Sequence, residues 1–126
     1  MLGTVDAFDR PLVTVEIRAP GAPVFHSITA WIDTGCTGHL VLPRALVHLL
    51  GLPRVGRLKA RMADGRESSV TTFVAEANWL ASVDKVEVIQ SSSDSALMGL
   101  CMLHGTDLRI NFALRQLEIN RPPPEN

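Results

Sequence analysis

Cysteine is scarce in this 126-residue chain: Cys36 and Cys101 are the only two. That is too few for a disulfide scaffold, so both read as free, reduced thiols. No apolar run approaches the roughly 20 residues needed to span a bilayer, and Met1-Leu-Gly-Thr-Val-Asp6 lacks the basic start and apolar centre of a signal peptide. A cytoplasmic protein with no membrane partner is the expectation. Charge of one sign is also lacking, since the net charge is -1 and the pI about 6.4. Such a balance gives no electrostatic reason to expect nucleic acid, and it suits a peptide or protein ligand.

What is present is apolar material, 46% of the residues, with no long polar spacer. One domain over residues 1–120 with its own core is therefore expected, followed by Arg121-Pro-Pro-Pro-Glu-Asn126 as a flexible, polyproline-like tail. The chain centres on Ile28-Thr-Ala-Trp-Ile-Asp33-Thr34-Gly35-Cys36-Thr37. Here a carboxylate ends what reads as a buried strand, where ionisation is costly unless donors surround it. Thr34 supplies a hydroxyl, and Gly35 lets the backbone turn its amides toward the acid. The plainer reading of the same residues is an Asx turn at a strand end.

Period-2 alternation predicts a half-buried strand over Leu12–Arg18 and a second over Val24–Ile32. The Ala19–Pro23 turn between them is short enough to make the pair antiparallel. Pro43–Leu50 predicts a helix of two turns, with Leu46, Leu49 and Leu50 on the packed face and Arg44 and His48 toward solvent. Val55–Asn78 predicts a β unit centred on Met62-Ala63-Asp64-Gly65-Arg66, because Asp-Gly is a strong hairpin signal. Arg57, Lys59 and Arg61 alternate with Leu58, Ala60 and Met62, which gives the cations a wet strand face. Phe73–Trp79 and Ser82–Ile89 read as further β runs, Ser91–Ser95 as an exposed loop, and Leu100–His104 as a short helix stopped by Gly105. A terminal hairpin, Leu108–Phe112 with Gln116–Asn120, closes the chain.

The run apolar-apolar-Asp33-Thr34-Gly35-x-Thr37, followed by Leu40-Val-Leu-Pro43 and a helix, resembles the active-site segment of the aspartic proteases. The resemblance is to the small single-lobe, retroviral-protease-like (retropepsin-type) members, of the bacterial clan AA kind. Ser95-Ala-Leu-Met98-Gly99-Leu-Cys-Met-Leu103 is similar to that family's second mark, an apolar pair and a Gly leading into a helix. The resemblance implies an all-β fold, a single-lobe closed barrel or sheet with one or two short helices, in a homodimer. It implies Asp33 as the catalytic acid, supported by Thr34, Gly35, Cys36 and Thr37. The hairpin tip at Ala63, Asp64 and Gly65 would then be a flap over substrate, with Met98 and Gly99 bordering the cleft, and no cofactor or metal would be needed.

One count matters for the chemistry. Hydrolysis by carboxylates takes one ionised and one protonated group, and this chain has a single Asp-Thr-Gly. Asp64, Asp84, Asp94 and Asp107 lack its context, so the second acid must come from another copy across a two-fold axis. Such a dyad would share one proton and favour acid to neutral pH. Cys36 stands where relatives of this family carry Ala or Ser, and a thiol is the weaker donor. Other classes remain open: a protease-like dimer that binds peptides without cutting them, a zinc site from Cys36-x-x-His39 and Cys101-x-x-His104, or a Cys36 nucleophile paired with His39.

Overall fold

A computed structural model of the chain describes residues 1–61 and 64–123. Alternation governs its first long strands. Val13, Val15 and Ile17 are buried on β2 (Pro11–Arg18), as are Ile28, Ala30 and Ile32 on β3 (His26–Ile32). The two strands pair antiparallel with Val13 opposite Ala30 and Val15 opposite Ile28, so their apolar faces coincide. The turn between them runs to Phe25, and β3 therefore starts two residues later than the alternation from Val24 suggests.

After β3 come β4 (Leu40–Pro43), α1 (Arg44–Leu49), β5 (Arg54–Arg61), β6 (Glu67–Trp79) and β7 (Ser82–Ser91). The chain ends with β8 (Leu97–Met98), α2 (Leu100–Leu103), β9 (Asp107–Asn111) and β10 (Gln116–Asn120). A strand absent from the sequence reading, β1 (Leu2–Val5), lies antiparallel between β10 and β2. The ten strands form one sheet in the order β5-β6-β7-β4-β8-β3-β2-β1-β10-β9. That sheet bends back on itself, so that β6 also pairs with β2 at Glu16–Arg18.

Side chains from all around this sheet meet in one core, including Ile17, Leu40, Leu42, Val88, Met98, Leu117 and Ile119, each at most 1% exposed. Burial of each such side chain is worth about 1.5–3 kcal/mol, the main force holding the strands together. In α1 the buried face differs from the expected one. Val47 and Leu50 are buried and Leu46 packs beside them, but Leu49 is 79% exposed. A helix of six residues has room for one narrow stripe, and the turn of the chain at Gly51 (φ 63°) sets which stripe meets the sheet.

Phe73–Trp79 is the second half of the long strand β6 rather than a separate element. The expected Asp-Gly hairpin is present as β5 against β6, with Arg57 opposite Thr71, Lys59 opposite Ser69 and Arg61 opposite Glu67. Gly65 adopts φ 86°, and Asp64 accepts the Arg66 N–H at 3.0 Å. Ala63 and Met62 at this tip, and residues 124–126 of the tail, lie outside the described residues. Among the described residues no helix is long and apolar enough to cross a membrane.

Candidate active site

Strand β3 delivers Asp33 to a junction of two backbone stretches, residues 33–39 and 98–101. The Asp33 N–H donates to the Met98 carbonyl at 2.9 Å, continuing the parallel β3–β8 ladder in which Trp31 stands opposite Leu97 and Ile32 opposite Met98. The turn then closes as the Cys36 N–H donates to the Asp33 carbonyl at 3.1 Å, and the Gly35 N–H reaches Asp33 Oδ1 at 2.9 Å. This is an Asx turn, and it also aims one backbone donor at the carboxylate. Thus the Asx turn that Asp-Thr-Gly suggests is present.

The two segments singled out in the sequence are laced together. Gly99 N–H donates to the His39 carbonyl at 2.8 Å, Leu100 N–H to Cys36 at 2.8 Å and Cys101 N–H to Gly38 at 3.0 Å. Gly99 is required by space. A Cβ there would lie 2.8 Å from both the carbonyl oxygen and the Sγ of Cys36, and closer still to the Gly38 carbonyl. Its φ of -95° is open to any residue, so contact alone makes the demand.

Asp33 and Cys36 are half-buried, while Thr34, Gly35 and Thr37 are exposed. The resemblance gives Met98 a place at the border of the cleft. Its side chain is 0% exposed in the core, and what it brings to the junction is its carbonyl oxygen. By alternation Leu97 is the β8 side chain on the outer face, where it is half-buried beside Trp31. Asp64 and Gly65 sit at the far end of the β5–β6 hairpin, exposed.

Two residues at this junction escaped the sequence reading. Trp31 is 37% exposed on the face of β3 that otherwise carries Ser27, Thr29 and then Asp33. An aromatic residue on a polar strand face two positions before the acid was a legible signal. Over it lies the Arg10 guanidinium, 5.5 Å from the Trp31 ring centroid and 5.3 Å from that of Phe8. Arg10 is aimed by Asp6, whose carboxylate receives the backbone N–H groups of Phe8 and Arg10 at 2.9 and 3.0 Å and the Arg10 Nε at 2.7 Å. Desolvation would raise the Asp6 pKa, but these bonds from Arg10 and Phe8 outweigh it and hold the carboxyl below its ordinary value.

The cysteine and histidine pairs do not assemble a ligand set. Cys36 Sγ packs at Gly99, whereas the Cys101 thiol donates to the Thr37 carbonyl at 3.1 Å. His39, Cys101 and His104 line a common shallow recess. Even so, no three His, Cys, Asp or Glu side chains converge as metal ligands among the described residues.

With one sheet folded around an Asp-Thr-Gly turn, one short helix after β4 and another after the Gly99 strand, the backbone is a known one. This is the retroviral protease fold. Among solved structures the chain is similar to EIAV protease complexed with the inhibitor HBY-793, with a TM-score of 0.58 over 79% of this chain and 90% of that one. Sequence identity is 16%, so the likeness speaks for the fold. No protein-family model and no curated protein sequence matches the chain.

Proposed function

We propose that the chain is an aspartic endopeptidase of the single-lobe, bacterial clan AA kind, active as a homodimer. Each copy gives one Asp33 to a shared site on a two-fold axis. The observation that carries this reading is the setting of Asp33 on a retroviral-protease fold. Its main chain is fixed to Met98 and its Oδ1 is held by Gly35 N–H, in a chain with one Asp-Thr-Gly. A residue near a two-fold axis meets its own mate, which supplies the second carboxylate.

Two carboxyls brought that close cannot both ionise readily, so they hold one proton between them. The ionised member takes a proton from water as its oxygen attacks the scissile carbonyl carbon. The protonated member gives its proton to the carbonyl oxygen. Collapse of the tetrahedral species then breaks the C–N bond as a proton passes to the departing amine. The peptide is the substrate, the dimer is the partner and no cofactor enters.

Apolar surface around the turn supports an interface there. Phe8 is 79%, Trp31 37% and Leu100 43% exposed, and Leu100 is tied by its N–H to the Cys36 carbonyl. The β5–β6 hairpin is suited to closing over bound peptide and excluding water. Cleavage of a mixed peptide library by the purified protein, and its loss in Asp33→Asn, tests the assignment. Equal binding of peptides by both proteins with cutting by neither would make it a peptide-binding dimer.

A further inference from the structure

The outer part of the β5–β6 hairpin is a free-standing ribbon. Pairing of β6 with β7 begins at Thr72, whereas its pairing with β5 runs on through Glu67, so among the described residues 67–71 have β5 as their one ladder partner. The direction of its two faces follows from alternation. Ala75, Ala77 and Trp79 are buried and Phe73 packs against them, which places Thr71, Ser69 and Glu67 on that same core-side face. Their cross-strand partners Arg57, Lys59 and Arg61 share it. The cations that read as a wet strand face are indeed exposed, and alternation puts them on the arm's inner, core-side face beyond the end of the core, while Thr72 (5% exposed) and half-buried Leu58 and Val70 occupy the other face.

The hairpin is short of acids. Between residues 54 and 71 stand Arg54, Arg57, Lys59, Arg61 and Arg66 against Asp64 and Glu67, a local surplus of three positive charges in a chain whose net charge is -1. Arg66 is taken by Asp64 at 2.6 Å, and Glu67 stands opposite Arg61. Arg57 and Lys59 face Thr71 and Ser69, and neither makes an ion pair among the described residues.

We infer that the inner face of this arm binds an acidic stretch of polypeptide, with Arg57 and Lys59 pairing carboxylates that flank the bond presented to Asp33. The inference deepens the protease reading and rests on it for the position of the substrate. Partly exposed ion pairs contribute modestly, so two of them give a preference of about fivefold over a neutral peptide of the same shape.

Binding is measured on the Asp33→Asn protein, which leaves peptide intact. The probes are fluorescent ten-residue peptides with an apolar centre flanked on both sides by Glu, or by Gln in the counterpart. The Glu peptide should bind about fivefold more tightly in low salt, and the gap should close near 1 M salt, where the Debye length is about 3 Å. Arg57→Gln with Lys59→Gln in the same background should remove the gap, with circular dichroism confirming a folded protein. Equal binding of the two peptides, or a gap that survives those substitutions, overturns the inference, as does tighter binding of a single-stranded oligonucleotide than of the Glu peptide. Wild-type cleavage of the same pair separates the two readings. An acid preference in binding with neither peptide cut sinks the hydrolase alone, and equal binding with both peptides cut sinks the acid preference alone.

Discussion

Gly99 lies so close to Cys36 that any side chain at position 99 would collide with the Cys36 Sγ and carbonyl oxygen, each 2.8 Å from where its Cβ would be. Gly99→Ala must therefore push the 36–38 loop away and break the bonds that Gly99, Leu100 and Cys101 donate to it. Overpacking of this kind costs about 1–3 kcal/mol. Chemical denaturation should show that loss, and peptide cleavage should fall further than stability does, because the displaced loop is the one that orients Asp33.

Asp33→Asn should keep the fold, since the Asp33 main-chain bond to Met98 does not involve the carboxylate. Cleavage should drop by about 10³-fold or more, the scale of losing acid–base catalysis in a positioned site. Wild-type specific activity should also rise with protein concentration until the dimer is saturated. Specific activity that is flat down to nanomolar protein, with a monomeric sedimentation profile, would remove the two-fold mechanism.

Asp6 gives a pH signature. Its carboxyl is held below its ordinary value of 3.8, so folding is favoured by the ionised form. That contribution is complete at pH 7 and is lost as the pH falls from about 4 through the lower folded value. Asp6→Asn should melt below wild type at pH 7, and the difference should shrink in acid. Glu76 behaves alike: the Gly21 N–H at 2.8 Å outweighs desolvation, Arg18 adds to it, and the pKa sits below 4.5. A melting gap that widens in acid for either variant would contradict these clamps.

The two leucines at the end of α1 make a contrast. Leu50, 9% exposed, should cost about 2–4 kcal/mol on truncation to Ala, whereas Leu49, 79% exposed, should change stability by no more than about 0.5 kcal/mol. Urea titration of the pair checks which stripe of the helix meets the sheet.

Local rules explain which elements were legible. The β2–β3 hairpin, α1 with Pro43 before it and Gly51 after it, the Asp64-Gly65 turn and the terminal β9–β10 hairpin each announce themselves by alternation, caps or turn residues within a few positions. The β6–β7 turn did not. Leu80 and Ala81 take φ of 49° and 64°, values that two-residue hairpins need but that Leu and Ala disfavour. Bonds from Arg121 to the Leu80 and Trp79 carbonyls, and from Trp79 Nε1 to Met102, brace them from distant parts of the chain. Strand β1 was hidden for the same reason, since its partners are β10, more than a hundred residues away, and β2.

For the site, sequence alone determined the chemistry available: a single Asp-Thr-Gly, a Gly that tolerates close approach, and one acid too few for a lone chain to act by this route. Those facts reside in residue types and in the bonds of a few neighbouring peptides. Tertiary structure decided that residues 33–38 and 98–101 form one junction, that the Arg10 guanidinium lies over Trp31, and that the arm's cations share the core-side face. Register and strand order are settled by packing between segments far apart in the chain, and no short stretch of residues carries that information.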